Sequence, residues 1–329
     1  MDLYALMRKF PGGIFIIPWF IAVFINTFCP QIMQIGGLTT ALFSSDGALC
    51  MASFMTFIIG TQFDLSRVRE MLKRGMVLTV TKLLIGFISA ILFVKLFGLD
   101  GILGISAVAF TTVIISCNPS VYLALVVDYG DRDDIPLFAL LNTICMPVFP
   151  LMILGISQGG GFAFIDIVNT LAPFLIGMVI GNIDHRSRDL MSHGILIATP
   201  LLGFCLGASV NLFSAFRAGF SGLLLAAVFL VINITIMLLV DRLILHRPGY
   251  AAIASCSVAG ISLIGPATIA ASNSIYLPYV DNAEVLAAMV LIITVIVTPL
   301  LCKLSVRLFG DGRIPDQQIS AEIIRGAVD

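Results

Sequence analysis

Two short stretches hold the polar groups that could do chemistry in an otherwise apolar chain. The first, SCNPS (116–120), sets Ser116, Asn118 and Ser120 around Pro119, inside an apolar run from Gly101 to Val127. The second, LIGPAT (263–268), places Gly265 before Pro266 and Thr268 two residues further on. Proline has no N–H and its ring clashes with the carbonyl four residues back, so each stretch frees backbone groups from a helix. Free N–H groups at the start of a half-helix suit an anion. The hydroxyl and amide side chains beside them suit a ligand rich in hydroxyls. Lys82, in TVTKLL (79–84), adds a cation within an apolar segment. It can pair with a ligand carboxylate or compete with a proton for it. It can equally snorkel to the membrane interface along its flexible stem.

Reactive constellations are missing. The sequence has no GxxxxGK[ST] phosphate loop, no nucleophile–base arrangement and no metal-ligand cluster, and its seven cysteines are scattered without a CxxC pair. It therefore predicts neither an enzyme nor a protein with a metal or cofactor. The net charge of −1 gives nucleic acid no electrostatic footprint.

The elements that must position these groups follow from composition. The chain of 329 residues is 59% hydrophobic and 11% charged, where soluble domains carry about 25% charged residues. Its apolar runs reach the roughly 17–25 residues that cross a bilayer as helix, and no alternating β-barrel strands are visible. Ten spans are expected, near 13–28, 46–62, 75–96, 101–128, 135–155, 165–182, 194–210, 219–240, 249–272 and 284–304. In DDIP (133–136), Asp133 or Asp134 is expected to cap the fifth. With ten spans, 15 Lys and Arg residues fall on the side of the two termini and two on the other, with Lys82 inside a span. Cytoplasmic loops carry the cationic excess, so both termini are expected in the cytoplasm.

The two halves of the chain resemble each other. PWFIAVFIN from Pro18 aligns with PFLIGMVIG from Pro173, FIIGTQFDL (57–65) with FCLGASVNL (204–212), and Pro150 with Pro299, at offsets of 155, 147 and 149. Each repeat then has five helices, residues 1–155 and 156–310, followed by a cytoplasmic tail at 311–329. An odd number makes the second copy enter the membrane from the opposite side, the inverted repeat of secondary transporters. The same pairing argues against reading the first span as a cleaved signal peptide. It also sets Asn118-Pro119 against Gly265-Pro266, so that spans four and nine are expected to be discontinuous and to cross. Gly177/Gly181 and Gly203/Gly207 are expected to be close-packing pairs, and Asn26, Asn142, Asn182, Asn211 and Asn233 to bond between helices or line a polar cavity.

RKFPGGIFIIPWFIAVFINTFCP (8–30), VTK (80–82) and NPSVY (118–122) followed by an acidic loop resemble the bacterial 2-keto-3-deoxygluconate permeases. That resemblance implies an inner-membrane symporter that imports 2-keto-3-deoxygluconate with protons. It also implies an architecture of two panels and crossed broken helices, similar to that of the bile acid/sodium symporter superfamily. Asn118 matches the family's helix-break asparagine and Lys82 its span-three lysine. Taken with the two breaks, the expected ligand set is Ser116, Asn118, Ser120, Gly265, Pro266, Thr268 and Lys82, with the coupling ion open between proton and sodium. Two alternatives stand beside this reading. One keeps the fold with another organic anion as substrate. The other is a non-transporting membrane receptor, which the repeat and the short tail disfavour.

Overall fold

The computed structural model describes Met7 and residues 13–63, 68–131, 134–135, 137–144, 149–150, 152–154, 164–208, 210–263 and 265–312. The chain is helical, with no β-strand among the described residues. Its principal helices are α1 (Gly13–Phe28), α2 (Ser45–Thr61), α3 (Val68–Phe97), α4 (Ala107–Ile115), α5 (Pro119–Tyr129), α6 (Leu137–Ile144), α7 (Phe164–Ile183), α8 (Gly194–Gly207), α9 (Gly219–Leu243), α10 (Tyr250–Ala254), α11 (Gly265–Ser272) and α12 (Val280–Phe309). Among the described residues, four stretches are long and apolar enough to cross a membrane: Gly75–Phe97, Ala107–Tyr129, Gly219–Leu243 and Ser274–Phe309. A bent pair, Arg186–Ser192 with Ile197–Gly207, makes a fifth if taken as one span.

The outer surface confirms the solvent these helices face. Along α3, Leu84, Ile88, Leu92 and Leu96 form an exposed stripe four residues apart, while Leu78, Lys82 and Ile85 point inward. A helix of a soluble protein would put polar residues on that stripe. An apolar one matches hydrocarbon, where the helix satisfies its own backbone groups. α4 is buried over all nine of its residues, and so it lies at the centre. A tight turn leads into it, with Gly101 at φ +71, where a Cβ would lie 1.8 Å from the Ile105 carbonyl oxygen. Ser106 then caps α4 by accepting the Ala109 N–H at 3.2 Å.

Glycines let two helix pairs approach to backbone contact. A Cβ on Gly207 of α8 would lie 2.3 Å from the Trp19 carbonyl oxygen of α1, and one on Gly203 2.4 Å from that of Phe15. Likewise, a Cβ on Gly60 of α2 would lie 2.2 Å from the Phe174 oxygen of α7, and one on Gly177 2.1 Å from that of Phe57. Each pair is pinned by an asparagine: Asn26 Nδ2 donates to the Val210 carbonyl at 3.0 Å, and Asn182 Nδ2 to that of Phe63 at 2.8 Å. Small residues driving close packing, with amides bonding across helices, is the expected logic inside a membrane.

Asp134, offered by the sequence as a helix cap, is held instead in an ion-pair cluster. Its carboxylate forms a bidentate pair with Arg247, both bonds at 2.5 Å, and also accepts from the Tyr250 hydroxyl. The Tyr122 hydroxyl donates to the Asp134 carbonyl at 2.9 Å. The cluster therefore ties α5 and the segment before α6 to the connection from α9 into α10. Burial works against the Arg247 charge, but the Asp134 hydrogen bonds and charge outweigh it and hold the guanidinium firmly protonated. Asp133, Asp64 and the tail beyond Gly312 lie outside the described residues.

Candidate functional site: two helix breaks that bond each other

The first break is a clean interruption rather than a kink. α4 ends at Ile115, Ser116 and Asn118 adopt extended backbone, and α5 starts at Pro119. Proline at the first helical position costs little, because the N–H it lacks would have no helical partner there. Asn118 caps α5 with its Oδ1, which accepts the Val121 N–H at 3.2 Å.

The second break is longer. α11 begins at Gly265, but α10 ends at Ala254, so the interruption opens at Ser255 and contains a 3₁₀ turn, Gly260–Leu263. The segment that meets the first break is consequently Val258–Ser262, upstream of Gly265-Pro266. Asn118 Nδ2 donates to the Val258 carbonyl at 3.0 Å. Ser116 Oγ accepts the Ala259 N–H at 3.0 Å and shares a 2.7 Å hydrogen bond with Ser262 Oγ.

Freed backbone groups in hydrocarbon cost several kcal/mol each unless satisfied, and α12 supplies two of the partners. Thr294 Oγ1 accepts the Val258 N–H at 3.0 Å, and Thr298 Oγ1 donates to the Cys256 carbonyl at 2.6 Å. Their spacing of four residues puts both on one helix face.

Lys82 does not snorkel. It is fully buried, with its ammonium donating to Asn233 Oδ1 at 2.6 Å and lying 4.7 Å from the Phe229 ring centroid. Among the described residues it pairs with no carboxylate. Asn233 Nδ2 donates to the carbonyls of Phe229 at 3.0 Å and Ile114 at 3.4 Å. Lysine only donates and carbonyls only accept, so this network fixes which way the amide faces. One turn beyond Lys82, a Cβ on Gly86 would lie 2.6 Å from the Ile115 side chain. The ammonium thus stands at the carboxyl end of α4, where the helix dipole favours a cation.

Of the residues singled out in the sequence, Ser116 and Asn118 are brought together with the second break, and Ser120 is buried on the first turn of α5. Gly265 and Pro266 are buried at the start of α11, where Gly265 sits against Thr112 of α4. The Thr268 side chain lies outside the described residues. Val258, Ala259, Ser262, Thr294 and Thr298 carry no mark in the sequence strong enough to select them. Ser255, Ser257 and Gly260 are poor helix formers, a faint sign of where the second break opens. Threonines in apolar helices usually bond their own backbone, so Thr294 and Thr298 look unexceptional.

The family profile described as 2-keto-3-deoxygluconate permease matches residues 4–310, a stretch that includes both breaks and Lys82. The chain belongs to that family. It is 31% identical to 2-keto-3-deoxygluconate permease 1 of Salmonella typhimurium over 301 residues, covering 92% of this chain and 94% of the relative. The 2-keto-3-deoxygluconate permease of Bacillus subtilis is 28% identical over 306 residues, covering 91% and 92%. That of Pectobacterium atrosepticum is 30% identical over 294 residues, covering 88% and 92%. As a member of the 2-keto-3-deoxygluconate permease family the chain is a multi-pass membrane carrier rather than an enzyme.

Proposed function

We propose that this chain is a secondary active transporter that imports 2-keto-3-deoxygluconate, or a closely similar keto-sugar acid, by symport with protons across a bacterial inner membrane. The observation that carries the reading is the direct bonding of two interrupted helices, Ser116 to Ser262 and Asn118 to Val258, in the middle of a permease-family fold. Unwound backbone of that kind persists in a membrane where it lines a substrate pathway. Lys82 supplies positive charge beside it for an anionic ligand, with Ser116, Asn118, Ser120, Gly265, Pro266 and Thr268 as the ligand set.

The ten-helix reading, with repeats at 1–155 and 156–310 and both termini cytoplasmic, draws support from the contacts themselves. Trp19 and Phe174 are 155 positions apart, and Gly60 and Gly207 are 147 apart. Exchanging the repeats therefore turns the Gly207–Trp19 contact into Gly60–Phe174, and the Asn26–Val210 bond becomes Asn182–Phe63 within one position. Near a pseudo-two-fold axis, residues must touch their own counterparts. Ser116 and Ser262 are 146 apart in sequence, and Lys82 and Asn233 are 151 apart, close to those offsets. On this reading transport proceeds by one helix panel moving against the other around this axis, as expected for a bile acid/sodium symporter-like architecture.

The test is uptake of labelled 2-keto-3-deoxygluconate into proteoliposomes under an imposed pH or sodium gradient. Accumulation driven by the pH gradient is expected. Accumulation with sodium alone would transfer the coupling to that ion, and none under either gradient would reject this substrate in favour of another organic anion.

A further inference from the structure

The last turn of α9 carries a carboxyl group that the joined breaks do not use. Asp241 is completely enclosed by the protein, and neither of its carboxyl oxygens has a hydrogen-bond partner. The Gly249 N–H approaches it without forming a bond. Two cations face it, and both are engaged elsewhere. Arg247 holds Asp134, while the Arg242 guanidinium lies 3.3 Å from the Phe309 ring centroid and donates to the Pro248 carbonyl at 3.4 Å. Asp134 itself and the Tyr122 hydroxyl of α5 also face Asp241, and Tyr250 of α10 is bonded to Asp134. α12 brings the Cys302 thiol and the Ser305 hydroxyl to this end, with Lys303 half-buried and Arg307 exposed. α4 has no ionisable residue, and the Lys73 and Arg74 side chains of α3 lie outside the described residues. A carboxylate buried without partners costs far more than the neutral acid, and the carboxyl end of a helix dipole adds to that cost. Asp241 therefore needs either a proton or a cation that moves to it. The Arg247 N–H donates to the Asp241 carbonyl at 3.0 Å, so the backbone holds these two residues together.

We propose that Asp241 is the proton-binding group of the carrier, taking up and releasing the coupled proton at the end of α9. The inference rests on the proton-symport reading above and adds the residue that serves it. A proton needs no cavity, only an oxygen that can hold it. With the proton bound, Asp241 is a neutral acid and Arg247 belongs to Asp134 alone. Release of the proton to water on the cytoplasmic side leaves a carboxylate that competes with Asp134 for the one guanidinium. That competition loosens the tie between α5 and the connection from α9 into α10, and so links proton release to movement.

The test uses the full-length protein in proteoliposomes as wild type, Asp241→Asn and Asp241→Glu. Asp241→Asn, fixed in the neutral form, is expected to lose accumulation of labelled 2-keto-3-deoxygluconate under a pH gradient. It is expected to retain exchange of labelled for unlabelled acid, which requires no proton release. Asp241→Glu, which can titrate, is expected to regain part of the accumulation. Infrared difference spectra between acid and alkaline pH give a second readout, in which the wild type is expected to show a carboxyl C=O band that Asp241→Asn lacks. Accumulation by Asp241→Asn at the wild-type level, or an infrared band unchanged in that variant, would overturn the assignment. Loss of exchange together with accumulation would make Asp241 a structural group and overturn it as well. Failure of the wild type itself to accumulate the acid would count against the symport reading, while the infrared band would still decide whether Asp241 binds a proton.

Discussion

Replacing Lys82 with methionine should abolish uptake while leaving the protein folded. The ammonium is fully buried, bonds Asn233 at 2.6 Å and faces the Phe229 ring. Removing it loses a hydrogen bond to a charged group, about 1.5–3 kcal/mol, and a desolvated cation–π contact of about 2 kcal/mol. It also leaves Asn233 Oδ1 unpaired, at about 1–3 kcal/mol. Against these stands the relief of burying a cation with no carboxylate beside it, several kcal/mol after relaxation. Methionine has nearly the same reach and flexibility and fills the same space. The opposing effects cancel to within about 2 kcal/mol, the ordinary range for a point substitution. Two measurements on one preparation check this: the thermal midpoint in detergent and initial uptake rates in proteoliposomes. Wild-type uptake by Lys82→Met would remove the ammonium from the transport site. A collapse of the fold would show instead that the cation is needed chiefly to neutralise the carboxyl end of α4.

Other substitutions separate the roles of the surrounding parts. Asn118→Asp keeps the cap on α5 but loses the donor to Val258 and sets a buried carboxylate against that carbonyl, so uptake and thermal midpoint should both fall; Asn118→Ala should lose both bonds, with about 1 kcal/mol from the cap alone. Asp134→Ala leaves Arg247 buried and unpaired and should destabilise by about 3–5 kcal/mol, whereas Asp134→Leu with Arg247→Met should cost much less in a double-mutant cycle. Gly177→Val places side-chain atoms against the Phe57 carbonyl and should sharply lower the yield of folded protein, while Gly98→Ala, with open space around its Cβ, should not lower yield by that route.

Sequence alone determined the membrane class, because a chain with so few charges cannot cover its own surface in water. It also marked the first break, since Asn118-Pro119 is a strong local signal, and the start of the second half-helix at Gly265. It located Lys82 and Asn233 but not their bond, because residues 151 apart meet only after two helices pack. The extent of the second break was a tertiary decision. Ser255 through Ser262 could have remained helical on local propensity, and what stabilises them unwound is outside the segment: Thr294 and Thr298 of α12 on one side, and Ser116 and Asn118 on the other. The unpartnered carboxyl of Asp241 was equally invisible, because a side chain's lack of partners depends on everything packed around it. Local chemistry thus marked where the chain breaks, while long-range hydrogen bonding decided how far the second break opens and which groups find partners.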